Sequence, residues 1–113
     1  MCCDAFENAA LKAKAGWLKR IPSKTLQEVA PVLKVLAHPK RLRIVEILLN
    51  ESVSVRKLAS MVKLAPAVVS QHLGQMRSNG IVTPHREGKQ VYYKVIDPNA
   101  ANLIECIRNN CAR

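Results

Sequence analysis

The chain has 113 residues, 49% of them hydrophobic, with 18 Lys and Arg against 8 Asp and Glu, a formal charge of +10. That length suits one domain with a modest core, and that apolar content argues against intrinsic disorder. No apolar run reaches the ~18–20 residues that span a bilayer, and Asp4 and Glu7 spoil a secretory leader, so no membrane partner and a cytoplasmic location are expected.

Taken in order, Ala5 to Arg20 reads as a helix with Phe6, Ala10, Ala13 and Trp17 on one side, ending near Ile21-Pro22. Thr25 and Glu28 have capping-box spacing for a second helix, in which Pro31 predicts a kink or a restart. His38-Pro39 marks the next boundary, with Pro39 suited to a first helical position. Leu42, Val45 and Leu49 give the following helix a buried face, widened by Ile44, Ile47 and Leu48. Val55 to Val62 makes a short helix burying Leu58, Ala59 and Val62. After a turn at Lys63-Leu64-Ala65, a second short helix starts near Pro66 and turns Val69, Leu73 and Met76 inward until Ser78-Asn79-Gly80 stops it. Two short helices joined this way form a helix-turn-helix. "IVTPHREGKQVYYKVI" reads as a two-stranded hairpin with Arg86-Glu87-Gly88-Lys89 at its tip, and Asp97-Pro98 opens a last helix on Ala100, Leu103, Ile104, Ile107 and Cys111.

The expected fold is therefore mostly α with a small β-hairpin wing, a winged helix-turn-helix in one domain. Its parts are an N-terminal helical extension over 1–24, core helices over 25–50, the helix-turn-helix over 53–79, the wing over 81–96 and a terminal helix over 98–111.

A charge of +10 implies an acidic partner, and its distribution sharpens the inference. Between Val53 and Ile96 stand Arg56, Lys57, Lys63, Arg77, Arg86, Lys89 and Lys94, with Glu87 as the one acidic residue. The second helix of such a motif enters the major groove of double-stranded DNA, and its N-terminal residues meet base edges. Ala67, Ser70, Gln71, Gln75 and Arg77 are the candidate contacts there. Gln pairs bidentately with adenine, and Ser serves a base or a phosphate. Arg86 and Lys89 on the hairpin are placed to grip backbone phosphates, which orients a protein without reading sequence. His72 has two readings, a bond to phosphate or a place in the helix–helix interface.

Each feature has a plain alternative. A polar helix face and a charged turn are ordinarily just solvated, and only their combination with the charge balance favours DNA. A non-specific architectural or RNA-binding module would use the same charges. A thiol enzyme finds no support, because His38, His72 and His85 all precede the last helix and no spacing assembles an oriented triad. The chain is expected not to be an enzyme.

The residues also carry a resemblance. "LKVLAHPKRLRIVEIL" followed by "LASMVKLAPAVVSQHLGQMRSNGIVTPHREGKQVYYKV" resembles the ArsR/SmtB family of bacterial winged-helix repressors, over roughly Leu33 to Ile96. The resemblance implies a homodimer, paired through first and last helices, that blocks a promoter and leaves its operator when an inducer binds. One departure is Ala65-Pro66-Ala67, which stands where family members usually open the recognition helix with polar residues.

The family's inducer sites can be compared position by position. Ser54 and Arg56 occupy the places of the paired cysteines that bind metal ahead of the helix-turn-helix. On the last helix Asp97 is retained, but Asn99, Asn110 and Arg113 replace the other zinc ligands; a carboxamide is a poor ligand and a guanidinium none. The family's zinc sites are thus expected to be absent. Four cysteines remain, Cys2, Cys3, Cys106 and Cys111, expected as thiols in a reducing cytosol. They suit arsenite or a soft metal ion as inducer, or an oxidant or persulfide. Cys106 and Cys111 diverge by roughly 140° around a regular helix, so they cannot chelate together unless it unwinds. Sensing cysteines and inert ones both stand as readings of the sequence.

Overall fold

Ser23 begins the first helix of the computed structural model, which describes residues 20–111. The helix expected from Ala5, with Phe6 and Trp17, lies outside the described residues. Helix α1 spans Ser23–Leu36, α2 Pro39–Asn50, α3 Val55–Val62 and α4 Pro66–Ser78. Strands β1, Val82–Glu87, and β2, Gln90–Val95, follow, and α5 covers Pro98–Asn110. The order is that of a winged helix-turn-helix.

The first helix departs from expectation at its start. It enters at Ser23 behind Pro22, and no side chain caps it. Thr25 already lies in the first turn, so the capping box does not form; an N-cap residue must itself be non-helical. Nor does the helix restart at Pro31. Proline removes one N–H from the ladder, and the carbonyl left unpaired belongs to Gln27; both residues are exposed, so water can satisfy it.

The next helix is opened by His38, whose Nδ1 accepts the Lys40 backbone N–H at 3.1 Å, with Pro39 first in the helix. It buries Ile44, Val45 and Leu48. Leu49, expected inward, is 38% exposed. The buried arc is centred on the 44/45/48 side, and Leu49 falls at its edge, bordering shallow clefts that also reach Asn50, α5 and the hairpin.

Between α3 and α4 the chain turns on Lys63, a non-glycine residue at φ +60°. Its N–H and that of Leu64 return to the Ser60 and Ala59 carbonyls at 3.3 and 3.1 Å. Lys40 Nζ donates to the Val62 carbonyl at 2.9 Å, so α2 helps close the same helix end. These bonds satisfy carbonyls that the end of α3 would otherwise leave open. At the end of α4, Gly80 takes φ +72° and the Ile81 N–H reaches the Met76 carbonyl at 3.0 Å.

The two strands pair antiparallel from Val82↔Val95 to Glu87↔Gln90, leaving Gly88-Lys89 as a two-residue loop. Gly88 at φ +62° supplies the positive dihedral that such loops need at their first position. Arg86 and Glu87, expected at the tip, are the last residues of β1. A bridge between Ser54 and Tyr92 ties the hairpin to the start of α3.

The core joins every helix to the hairpin. Leu36, Ile44, Val45, Leu58, Val69, Leu73, Met76, Ile81 and Val82 are all but completely buried, and no polar or charged side chain is buried among the described residues.

Candidate nucleic-acid interface

Helix α4 is held by its apolar side. Val69, Leu73 and Met76, spaced three and four apart, are 0% exposed. That spacing forces the opposite side outward: Ala67, Ser70, Gln71, Gln75 and Arg77 are all exposed. A helix stitched down this firmly has its polar face fixed in direction without help from a ligand.

His72 does not share that outward position. It is half-buried, and its Nδ1 accepts from Arg41 Nε at 3.0 Å. Its ring centroid lies 4.8 Å from that of His38, tilted by 58°. Burial lowers its pKa below the ordinary value of 6.5, and the positive Arg41 and neighbouring His38 lower it further. A neutral ring with an unprotonated Nδ1 is the form that can accept from a guanidinium. Of the two readings open for His72, the structure thus places it in the α2–α4 interface.

Sequence reasoning missed Arg41. Its Nε holds His72 and its Nη1 donates to the Val35 carbonyl at 3.1 Å, so one guanidinium joins α1, α2 and α4. It also borders a shallow depression with Gln71, His72, Gly74, Gln75 and Ser78. Nothing in "HPKRLR" separates this arginine from Lys40 or Arg43; only the approach of α4, 31 residues further on, does so.

The wing supplies Arg86 and Lys89, both exposed, one on β1 and one in the loop. Its exposed face is stiffened where His85 stacks on Tyr92, 5.5 Å between centroids and 19° between planes. His85 Nε2 lies 3.7 Å from Glu87 Oε1, so one carboxylate stands among the basic groups of the wing.

The candidate inducer residues are less completely placed. Cys106 is a half-buried free thiol on α5, and Asn110 Nδ2 donates to its backbone carbonyl at 3.1 Å, with Sγ at 3.8 Å. Cys111 caps the end of α5 and is disulfide-bonded, which departs from the expectation of a free thiol there. Pairing depends on tertiary proximity, which sequence spacing does not reveal. Cys2 and Cys3 lie outside the described residues, as does Arg113. Asp97, the one retained family zinc ligand, caps α5 by accepting the Asn99 N–H at 2.9 Å. Among the described residues no three His, Cys, Asp or Glu side chains gather to hold a metal ion, and no helix is long and apolar enough to cross a membrane.

Comparison with known proteins places this geometry. Residues 38–83 match the family model described as bacterial regulatory protein, arsR family. The biofilm growth-associated repressor of Agrobacterium fabrum is 40% identical over 84 residues, 74% of this chain and 72% of that protein. Reduced HlyU from Vibrio cholerae superposes with a TM-score of 0.73 at 30% identity, covering 77% of this chain and 92% of the other; HlyU is named a transcriptional activator. A homodimeric winged helix-turn-helix DNA-binding domain from Mycobacterium bovis gives a TM-score of 0.67 at 29% identity, over 77% and 81% of the two chains.

Proposed function

We propose that this chain, which belongs to the arsR family of bacterial regulatory proteins, is a homodimeric transcriptional repressor released from its operator by a thiol-directed inducer. The observation that carries the DNA-binding part is the fixed outward face of α4, with Ser70, Gln71 and Gln75 exposed over a fully buried Val69, Leu73 and Met76. Inserted in a major groove, that face meets base edges while Arg86 and Lys89 meet phosphates on the flank. Repression follows from the two copies occupying promoter DNA, and the location is that of a bacterial chromosome, the cytoplasm.

Dimerisation is supported by apolar surface that one copy does not cover. Leu26 and Leu33 on α1 are 54% and 48% exposed, seven residues apart and so on one side of the helix. Leu103 and Ile107 on α5 are half-buried, apolar area on a second helix that one copy covers only in part.

Release by arsenite, a soft metal ion, an oxidant or a persulfide would act through Cys2, Cys3, Cys106 and Cys111; any metal or metalloid would be held by thiolates, which Cys111 supplies only once its disulfide is reduced. Two features support a thiol role: Cys106 and Cys111 differ in state on one helix, and one structural neighbour is specified as a reduced form.

The test is binding to duplexes from the chain's own promoter region against random duplex of equal length. The expected result is a clear preference for the promoter, with a salt slope that flattens by about one for each of Arg86→Ala and Lys89→Ala. Equal affinity for both duplexes would leave a non-specific architectural protein. Titrating the specific complex with arsenite, Cd(II), Cu(I), peroxide and persulfide, in parallel with Cys→Ser variants, tests release. Responses that survive loss of all four thiols would end the sensing proposal.

A further inference from the structure

The first turn of α4 is unlike the rest of its outward face. Ala65, Pro66, Ala67 and Val68 are all exposed, and no side chain caps the helix there. Val68 is 37% exposed and, with Ala67, puts apolar side chains on a helix whose remaining outward face is polar. At ~100° per residue, Ala67 stands one turn before Gln71, and Val68 falls on the flank of Gln71 and Gln75. The methyl groups are therefore continuous with the polar reading face and lie at the end of the helix that goes deepest into a groove.

From this we infer that Ala67 and Val68 form an apolar reading edge for the C5-methyl group of a pyrimidine in the major groove. The inference rests on the proposed insertion of α4 into DNA and names what part of the operator that helix selects. In the major groove the methyl of thymine is the one apolar group that an unmodified base presents, and Ala-type methyls are suited to contact it. Neither Ala67 nor Val68 can hydrogen-bond a base through its side chain, so a cytosine N4–H₂ or an adenine N6–H₂ at that place loses water without gaining a partner. Each half-site is thus expected to carry thymine opposite the first turn of α4, beside the base pairs that Gln71 and Gln75 read. A 5-methylcytosine offers the same methyl on a base that pairs with guanine.

Operator duplexes carrying single thymine-to-uracil replacements isolate the methyl, because uracil keeps every hydrogen-bonding group of thymine. Replacement at one or two adjacent positions per half-site is expected to weaken binding about fourfold per methyl removed, from the burial of one methyl-sized group, and other positions to change little. Cytosine placed at the sensitive position should weaken binding further, and 5-methylcytosine there should recover part of that loss. In Val68→Ala, which withdraws two methyls from the contact, the sensitivity to uracil at the position it faces should fall clearly below the parent's. Because Ala is the better helix former and Val68 lies outside the core, this variant is expected to remain folded. Specific binding that ignores uracil at every position, or uracil sensitivity unchanged in both Val68→Ala and Ala67→Gly, would overturn the inference while leaving the repressor reading intact. Absence of preference for any promoter duplex would instead overturn the reading beneath it.

Discussion

Helices α4 and α5 are both thirteen residues long and both begin with proline, yet they are held in opposite ways. The first has no side-chain cap and is fixed by packing, with Val69, Leu73 and Met76 entirely buried. The second is capped by Asp97 but sinks only Ala100 and Ile104, leaving Leu103 and Ile107 half-covered; Ile107 lines an open trough of about 360 Å³ with Pro39 and Leu42, edged by Arg43, Glu46 and Arg108. A helix completed by its own subunit has a fixed direction, which suits reading a rigid ligand. A helix whose apolar side is only partly covered has area left to bury, which suits pairing with a second copy. The proposed division of labour follows from where the chain itself supplies the packing.

The two helices should differ most on truncation of a packed side chain. Leu73→Ala is expected to cost about 3 kcal/mol by urea unfolding, since a fully buried side chain leaves a cavity that neighbours fill only in part. Leu103→Ala, on half-buried α5, should cost less and should instead raise the concentration at which the protein dissociates in sedimentation. A Leu103 cost equal to that of Leu73, with assembly unchanged, would contradict the distinction.

Capping sharpens it next. Asp97→Ala removes the one side-chain bond at the start of α5 and is expected to lower stability by about 1 kcal/mol. Ala65→Ser supplies α4 with the cap it lacks and should add about 0.5 kcal/mol, read as a higher urea midpoint.

His72 gives a pH signature to the packed side of α4. Its pKa is lowered in the folded protein, so between the folded value and about 6.5 the unfolded chain binds the extra proton. Stability is therefore full above pH ~6.5 and declines as pH falls through the folded value. His72→Gln removes that titration while keeping an acceptor for Arg41, so the variant should lose less stability than the parent between about pH 7 and 5. Parallel unfolding curves across that range would show that the ring does not titrate on this scale.

A similarly small effect is expected at the turn that launches α4. Lys63 holds φ +60°, where a Cβ is strained and glycine is not. Lys63→Gly should raise stability by about 0.5 kcal/mol, the strain relieved being partly offset by the greater freedom of glycine when unfolded. A loss of stability in thermal unfolding would mean that the lysine side chain is worth more than the strain.

Much of this arrangement was legible beforehand. The 3.6-residue recurrence of Val69, Leu73 and Met76 located the buried side of α4, and Pro66 and Gly80 located its ends. In helix α1 the capping signal of Thr25 and Glu28 does not form, and the helix runs on through Pro31 without restarting. Exposure lets a helix tolerate an internal proline and an uncapped start when Val32 and Leu36 are anchored elsewhere. Leu49 shows the same limit: periodicity finds an apolar arc but not how far neighbours extend over its edge.

By itself, then, the amino-acid order determined the helix-turn-helix, the hairpin and the exposed polar face of α4, since each depends on spacing within a dozen positions or on a glycine's dihedral freedom. Only the tertiary structure decided that His72 turns to Arg41 rather than outward and that Cys106 and Cys111 differ in state. Those outcomes depend on which atoms meet across elements far apart in sequence. A hydrogen bond at 3.0 Å between residues 31 apart has no counterpart in local periodicity.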